Sequence, residues 1–166
     1  PAAAGLPAEL SPEHVAARLT NREKALAAVR QDWRVLESVP VEFRSDRVFV
    51  MAAVESCGHA LLYASEELRS DRGIVLAAVA QNGNAVKHAA KELRADPSVV
   101  LAATAQTVSS LRHIPQSILS DRDAVLSLVR QDPQALQYVA KEMREDREVL
   151  LAAVRRDARC LEHAAP

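Results

Sequence analysis

His88, His113 and His163 follow one another at 25 and 50 residues, and Tyr63 and Tyr138 fill the same place 25 residues before His88 and 25 after His113. A row of imidazoles could ligate a metal. Stacked helices, however, lie about 8–10 Å apart, whereas zinc holds nitrogen ligands at about 2.0–2.1 Å. Exchange with tyrosine points instead to a half-buried ring with a polar tip. Cys160 and His163 are three residues apart and could share a helix face as thiolate and base, but no third group orients them. Cys57 and His59, two apart, point away from each other on a helix. The acidic pairs Glu66-Glu67 and Glu145-Asp146 fall in outer turns where carboxylates are solvated. There is no glycine-rich phosphate loop and no nucleophile elbow. No catalytic residue, metal ligand or cofactor is assigned.

Two rows of arginine could grip phosphates along an RNA: Arg22, Arg47, Arg72, Arg122 and Arg147, and Arg44, Arg69, Arg94 and Arg144. The same turns carry Asp46, Asp71, Asp96, Asp121 and Asp146, with Glu42, Glu67, Glu92 and Glu142 close by. The balance favours inter-repeat ion pairs and helix caps over nucleic acid. With 21 basic and 22 acidic side chains the net charge is −1, so no summed field gathers a polyanion.

The elements behind these rows follow from the spacing itself. Asn21-Arg22, Asp46-Arg47, Asp71-Arg72, Asp121-Arg122 and Asp146-Arg147 recur in a 25-residue register, and Asp96-Pro97 fills the missing beat. A period held without insertion requires each unit to stack on the last in the same way. Hydrophobic residues make up 49% of the chain but aromatics only 3%, a composition of Ala, Val and Leu that favours helix over sheet. Asp46 reads as an N-cap, followed by a helix over Arg47–Val54 that is apolar on nearly all sides and so is buried between layers.

A second cap follows at Asp32, Cys57, Asn82, Thr107, Asp132 and Asp157, with Pro133 in the first helical position of one unit. The second helix turns inward Leu36, Leu61, Val86, Leu111, Leu136 and Leu161, and three residues on Val39, Ala64, Ala89, Ile114, Val139 and Ala164. Pro40 and Pro115 end it. A short third turn is anchored by Phe43, Leu68, Leu93, Ile118 and Met143.

The expected fold is all-α, a solenoid-like array of six helical repeats over residues 21–45, 46–70, 71–95, 96–120, 121–145 and 146–166. Residues 1–20 form an extension in which Ser11-Pro12 starts a capping helix through Leu19. No apolar run approaches the length of a membrane span. The chain has no initiating Met, so it reads as either a fragment or a processed product, and the second reading leaves room for a targeting peptide already removed. Two cysteines at different repeat positions are no disulfide framework and fit an intracellular, reducing setting, cytosolic or within an organelle.

The phrases LYASEELRSDRGIVLAAVAQNG and YVAKEMREDREVLLAAV resemble tandem copies of the domain of unknown function 4116 (DUF4116) family, over about residues 21–165. The resemblance implies a tandem helical repeat and carries no activity with it. The fourth unit departs from the pattern at Pro97, Thr104, Pro115 and Leu119.

A binding site on such a scaffold lies in positions that stacking does not dictate. Trp33, the single tryptophan, occupies a place held elsewhere by Gly58, Gly83, Val108, Pro133 and Ala158, and Val41, Val48 and Leu62 are apolar where other units vary. Tryptophan anchors are frequent among interface hot spots, although Trp33 could equally pack under the N-terminal helix. Val108 and Leu119, apolar where polar residues are usual, make a second candidate surface. The expected function is a non-enzymatic scaffold or a peripheral subunit that binds protein; the alternative is an RNA-binding repeat using the arginine rows.

Overall fold

The computed structural model describes the backbone of residues 12–163 and the side chains of residues 22–163. Its elements are helices and turns, with no strand among the described residues.

The second unit shows how the sequence makes one layer. Asp46 is extended, and its Oδ1 accepts hydrogen bonds from the amides of Val48 (2.8 Å) and Phe49 (3.3 Å), which the first turn of a helix otherwise leaves unpaired. The helix that follows, Arg47–Ser56, buries Phe49, Val50, Ala53 and Val54. Cys57 is again extended, and a 3-10 helix runs over Gly58–Tyr63, burying Ala60 and Leu61. Ala64 is extended too, and a single α turn, Glu66–Arg69, buries Leu68 before Asp71 opens the next unit.

The middle element was expected as a helix; it is a 3-10 helix in five of the six units. Its inward side chains stand three residues apart, as in Leu61 and Ala64, and side chains at that spacing eclipse in a helix of three residues per turn. The extended residue at its end continues the proline logic. Val39 before Pro40 and Ile114 before Pro115 have ψ of 153° and 140°, the region to which a following proline confines its neighbour.

Numbered along the chain, the α-helices are α1 (Pro12–Gln31), α2 (Val35–Ser38) and α3 (Val41–Arg44) in the first unit, and α4 (Arg47–Ser56) and α5 (Glu66–Arg69) in the second. Then come α6 (Arg72–Gln81) and α7 (Lys91–Arg94), α8 (Pro97–Gln106) and α9 (Gln116–Leu119), α10 (Arg122–Gln131) and α11 (Lys141–Glu145), and α12 (Arg147–Val154). In place of a capping helix through Leu19 and a new start at Asn21, α1 crosses that point unbroken. No Gly or Pro follows Pro12 within it to stop the helix. Ser11, the expected cap of α1, and Ala164, an expected inward residue, lie outside the described residues.

Three devices repeat between layers. Four capping aspartates divide their oxygens: Oδ1 caps its own helix, and Oδ2 takes a guanidinium from the preceding unit. The pairs are Arg22–Asp46 (2.7 Å), Arg47–Asp71 (3.1 Å), Arg72–Asp96 (3.3 Å) and Arg122–Asp146 (3.0 Å). Main-chain bonds of 2.9 Å run from the amides of Ser65, Ala90 and Ala140 to the carbonyls of Arg44, Arg69 and Leu119. Pro115 has no N–H to give Arg94 the same bond. Last, Gly58 and Gly83 let the chain touch the next long helix: a β-carbon at either would stand 2.2 Å from the carbonyl oxygen of Ala78 or Ala103.

Where the glycine is present, α4 packs on α6 and α6 on α8 most closely. With Trp33 or Pro133 in its place, the joints α1/α4 and α10/α12 are somewhat looser. The joint α8/α10, beside Val108, is by far the most open.

Candidate functional site

The histidine row does not converge on a metal site. His59 and His88 meet edge to face with ring centroids 5.9 Å apart, and His59 Nδ1 lies 3.2 Å from the Asn82 side-chain amide. His88 Nε2 is buried without a hydrogen-bond partner. Burial, then the charges of Lys87, His59, Arg69 and His113, pushes the His88 pKa down to about 4. His113 is lowered as well, by burial first and then by Lys87, Arg112 and Arg94. Among the described residues no three His, Cys, Asp or Glu side chains come close enough together to hold an ion.

Cys160 is buried and its thiol is held above the ordinary range, by burial and then by Asp157. A thiol so placed is a poor nucleophile. His163 faces Gln134 Oε1 at 3.3 Å, in the preceding unit, and makes no hydrogen bond to the thiol. Cys57 is half-buried at the start of its 3-10 helix.

The arginine rows part company. The first supplies the inter-unit ion pairs, and Arg122 reaches Glu148 as well as Asp146. The second row, expected to be paired, is not: Arg44, Arg69, Arg94 and Arg144 enter no ion pair among the described residues, and the Nε of each is buried without a hydrogen-bond partner. Their stems lie inside the joint between layers, while Glu42, Glu67, Glu92 and Glu142 on the same turns are exposed.

That burial corrects one expectation about binding. Leu119 occupies the arginine place of the fourth unit and is only 4% exposed, part of the core rather than of a binding surface. The position reads as polar because arginine usually holds it, yet arginine's stem is already internal there. Val108 is half-buried and packs against the core.

In the first two units the surface candidates are apolar in the open. Val41 is 58% exposed, Val48 53% and Leu62 49%. Their counterparts are Glu66, Lys91, Gln116 and Lys141; Gly73, Ser98, Asp123 and Glu148; and Glu37, Lys87, Arg112, Gln137 and Glu162. Trp33 is half-buried against the next layer. Its ring lies 6.1 Å from that of Tyr63, the Arg34 guanidinium sits 5.2 Å from its centroid, and Tyr63 donates its hydroxyl to Glu37 at 3.2 Å. The signal that sequence reading missed is Asp121, the one capping aspartate from the second unit to the fifth that no arginine reaches, because Pro97 stands where the arginine would be.

A family model described as a domain of unknown function (DUF4116) matches the chain three times, over residues 21–69, 71–119 and 121–166. Each match spans two of the 25-residue layers, so the family's own unit is a pair of layers. No curated protein and no solved structure matches the chain. Three consecutive matches cover nearly all of the sequence beyond residue 20, and the chain belongs to the DUF4116 family as a tandem array of its helical repeats.

Proposed function

We propose that the chain is a non-enzymatic scaffold, or a peripheral structural subunit of a larger assembly, that binds a partner protein through the surface of its first two units. The observation that carries this reading is the exposure of Val41, Val48 and Leu62 at positions that are polar or glycine in the other units. Stacking does not require these side chains to be apolar, and keeping them in water is unfavourable by roughly 25 cal/mol per Å². A partner that covers them recovers that energy. Trp33, seated on Tyr63 of the second unit, adds a rigid half-exposed ring to the first.

The test is capture of partners by the parent chain and by a Val41→Lys, Leu62→Lys double variant, each at low and high salt. Both positions are exposed, so the variant keeps its fold. A protein partner held by the parent at both salt concentrations and lost by the variant supports the patch. Equal capture by both chains sinks it.

A second reading, an RNA-binding repeat, is favoured by one observation: Arg44, Arg69, Arg94 and Arg144 form a row that enters no ion pair among the described residues. It requires binding that falls steeply with salt, and Arg69→Gln with Arg94→Gln would remove it.

A further inference from the structure

The joint between the fourth and fifth units differs from its neighbours in two residues that act together. Val108 stands where Gly58 and Gly83 let the next helix approach, and at those joints a β-carbon would meet a carbonyl oxygen at 2.2 Å. The corresponding carbonyl is that of Leu128, a residue itself bulkier than the Ala78 and Ala103 it replaces, and α10 stands further from α8 than α6 does. Pro97 stands where Arg47 and Arg72 reach across to the next capping aspartate. Asp121 therefore uses Oδ1 to cap α10, accepting from Ala124 at 2.8 Å, while its Oδ2 receives no guanidinium.

The result is a cleft of about 320 Å³ between α8 and α10, lined mainly by Pro97, Val100, Leu101, Ala124 and Leu128, with Asp121 and Asp123 on its wall. Gln131 bridges the two helices, its Nε2 donating to the Leu101 carbonyl at 3.0 Å. No basic side chain lines the cleft.

We propose that this cleft receives a segment of a partner protein in which an arginine sits beside aliphatic side chains. The arginine supplies the guanidinium missing from this joint and pairs with Asp121 Oδ2, as Arg22, Arg47, Arg72 and Arg122 do for their own aspartates. A neighbouring aliphatic side chain covers Pro97, Leu101 and Ala124, the apolar residues of the cleft that are open or half-open, over a floor of buried Val100 and Leu128. Charge selects the occupant: two carboxylates and no cation line an otherwise apolar wall, so an acidic or phosphorylated segment is repelled. A planar, always-charged guanidinium meets a carboxylate better than an ammonium does. The site is independent of the patch on the first two units, and either can fail without the other.

The experiment is a titration of the isotope-labelled chain, followed by amide NMR shifts, with two capped tripeptides, acetyl-Leu-Arg-Leu-amide and acetyl-Leu-Gln-Leu-amide. The expected result is saturable shifts centred on Leu101, Ala124 and Leu128 with the arginine peptide, and binding at least about tenfold weaker with the glutamine peptide. Asp121→Asn keeps a residue that can cap α10 and should weaken binding by a similar factor. Pro97→Arg gives the joint its own arginine and should block the peptide while the melting temperature stays level or rises, which separates lost binding from lost folding. Shifts that miss α8 and α10, equal binding of the two peptides, or undiminished binding by the Pro97→Arg chain would overturn the proposal. Parent-like binding by the Val41→Lys, Leu62→Lys variant is expected, since that change tests only the other surface.

Discussion

Gly58 and Gly83 are glycines because of what lies against them, not because of their own backbone angles. No glycine in the described chain has a positive φ, whereas a methyl group at either position would collide with a main-chain carbonyl that cannot rotate away. Gly58→Ala should therefore destabilise the chain by about 1–3 kcal/mol, the range for overpacking. Gly73→Ala is the control. It lies exposed in α6, where an added methyl meets the flexible end of Arg47 and the Asp71 carboxylate at 3.1 and 3.2 Å, and it should stabilise by about 0.5 kcal/mol through helix propensity. Urea midpoints for the two variants should move in opposite directions, and a shared direction would refute the account. His88 offers a second residue-level test. Its folded pKa of about 4 lies below the unfolded value of about 6.5. Between those values the unfolded chain binds more protons, so the stability gained by keeping the ring neutral is complete above about pH 6.5 and is lost as the pH falls toward 4. The urea midpoint should decline over that window, and His88→Gln should flatten the decline. His113, lowered in the same direction, leaves a smaller slope behind.

At the level of the element, the capping aspartates do two jobs and should show two costs. Asp71→Ala removes the bond to the Ile74 amide and the Arg47 ion pair together, a loss of about 1–2 kcal/mol. Asp121→Ala removes a cap alone, so thermal denaturation should show a smaller loss, by up to about 1 kcal/mol. The caps also set an acid limit. The Ile74 amide and Arg47 hold the Asp71 carboxyl below its usual range, and Arg122 and the Val149 amide do the same for Asp146. At Asp46 burial opposes ionisation, and Arg22 with two amides outweighs it. A lowered carboxyl contributes stability above the unfolded pKa of about 3.9 and loses it as the pH falls through the folded value. Caps of this kind, with the 25-residue register and the all-apolar long helix, are what made the fold readable, since a side chain that caps a helix must be Asp, Asn, Ser or Thr. The 3-10 geometry of the middle element was not readable, because apolar residues three apart serve α and 3-10 helices alike. The unbroken α1 was hidden for a related reason: Asn21 is a plausible cap, and nothing local shows that the helix ahead of it already supplies a preceding turn. At the candidate site, exposure of Val41, Val48 and Leu62 agrees with their apolar departure from the register, whereas Leu119 misled because arginine's buried stem is invisible to a polarity scale.

Across the whole molecule, the ion pairs between capping aspartates and arginines and the main-chain bonds between layers join one unit to the next. Stability in such an array is a sum over layers and joints, and the most open joint should divide it. Hydrogen exchange should find α10 and α12 opening together at a lower free energy than α4, α6 and α8. Val108→Gly, which lets α10 approach α8, should raise protection in α10 and α12 toward that of the earlier layers. A uniform protection profile in the parent chain would contradict the division. The place occupied in turn by Trp33, Gly58, Gly83, Val108 and Pro133 then has a further meaning. The stand-off of the next layer changes from joint to joint with the residue there, as spacers of different cut change the gap between plates, though not by bulk alone, since the joint at Val108 is more open than the one at Trp33. The tilt and reach of the array can thus be retuned a joint at a time by point substitution, fitting a long surface to the contour of whatever it meets without recasting any core.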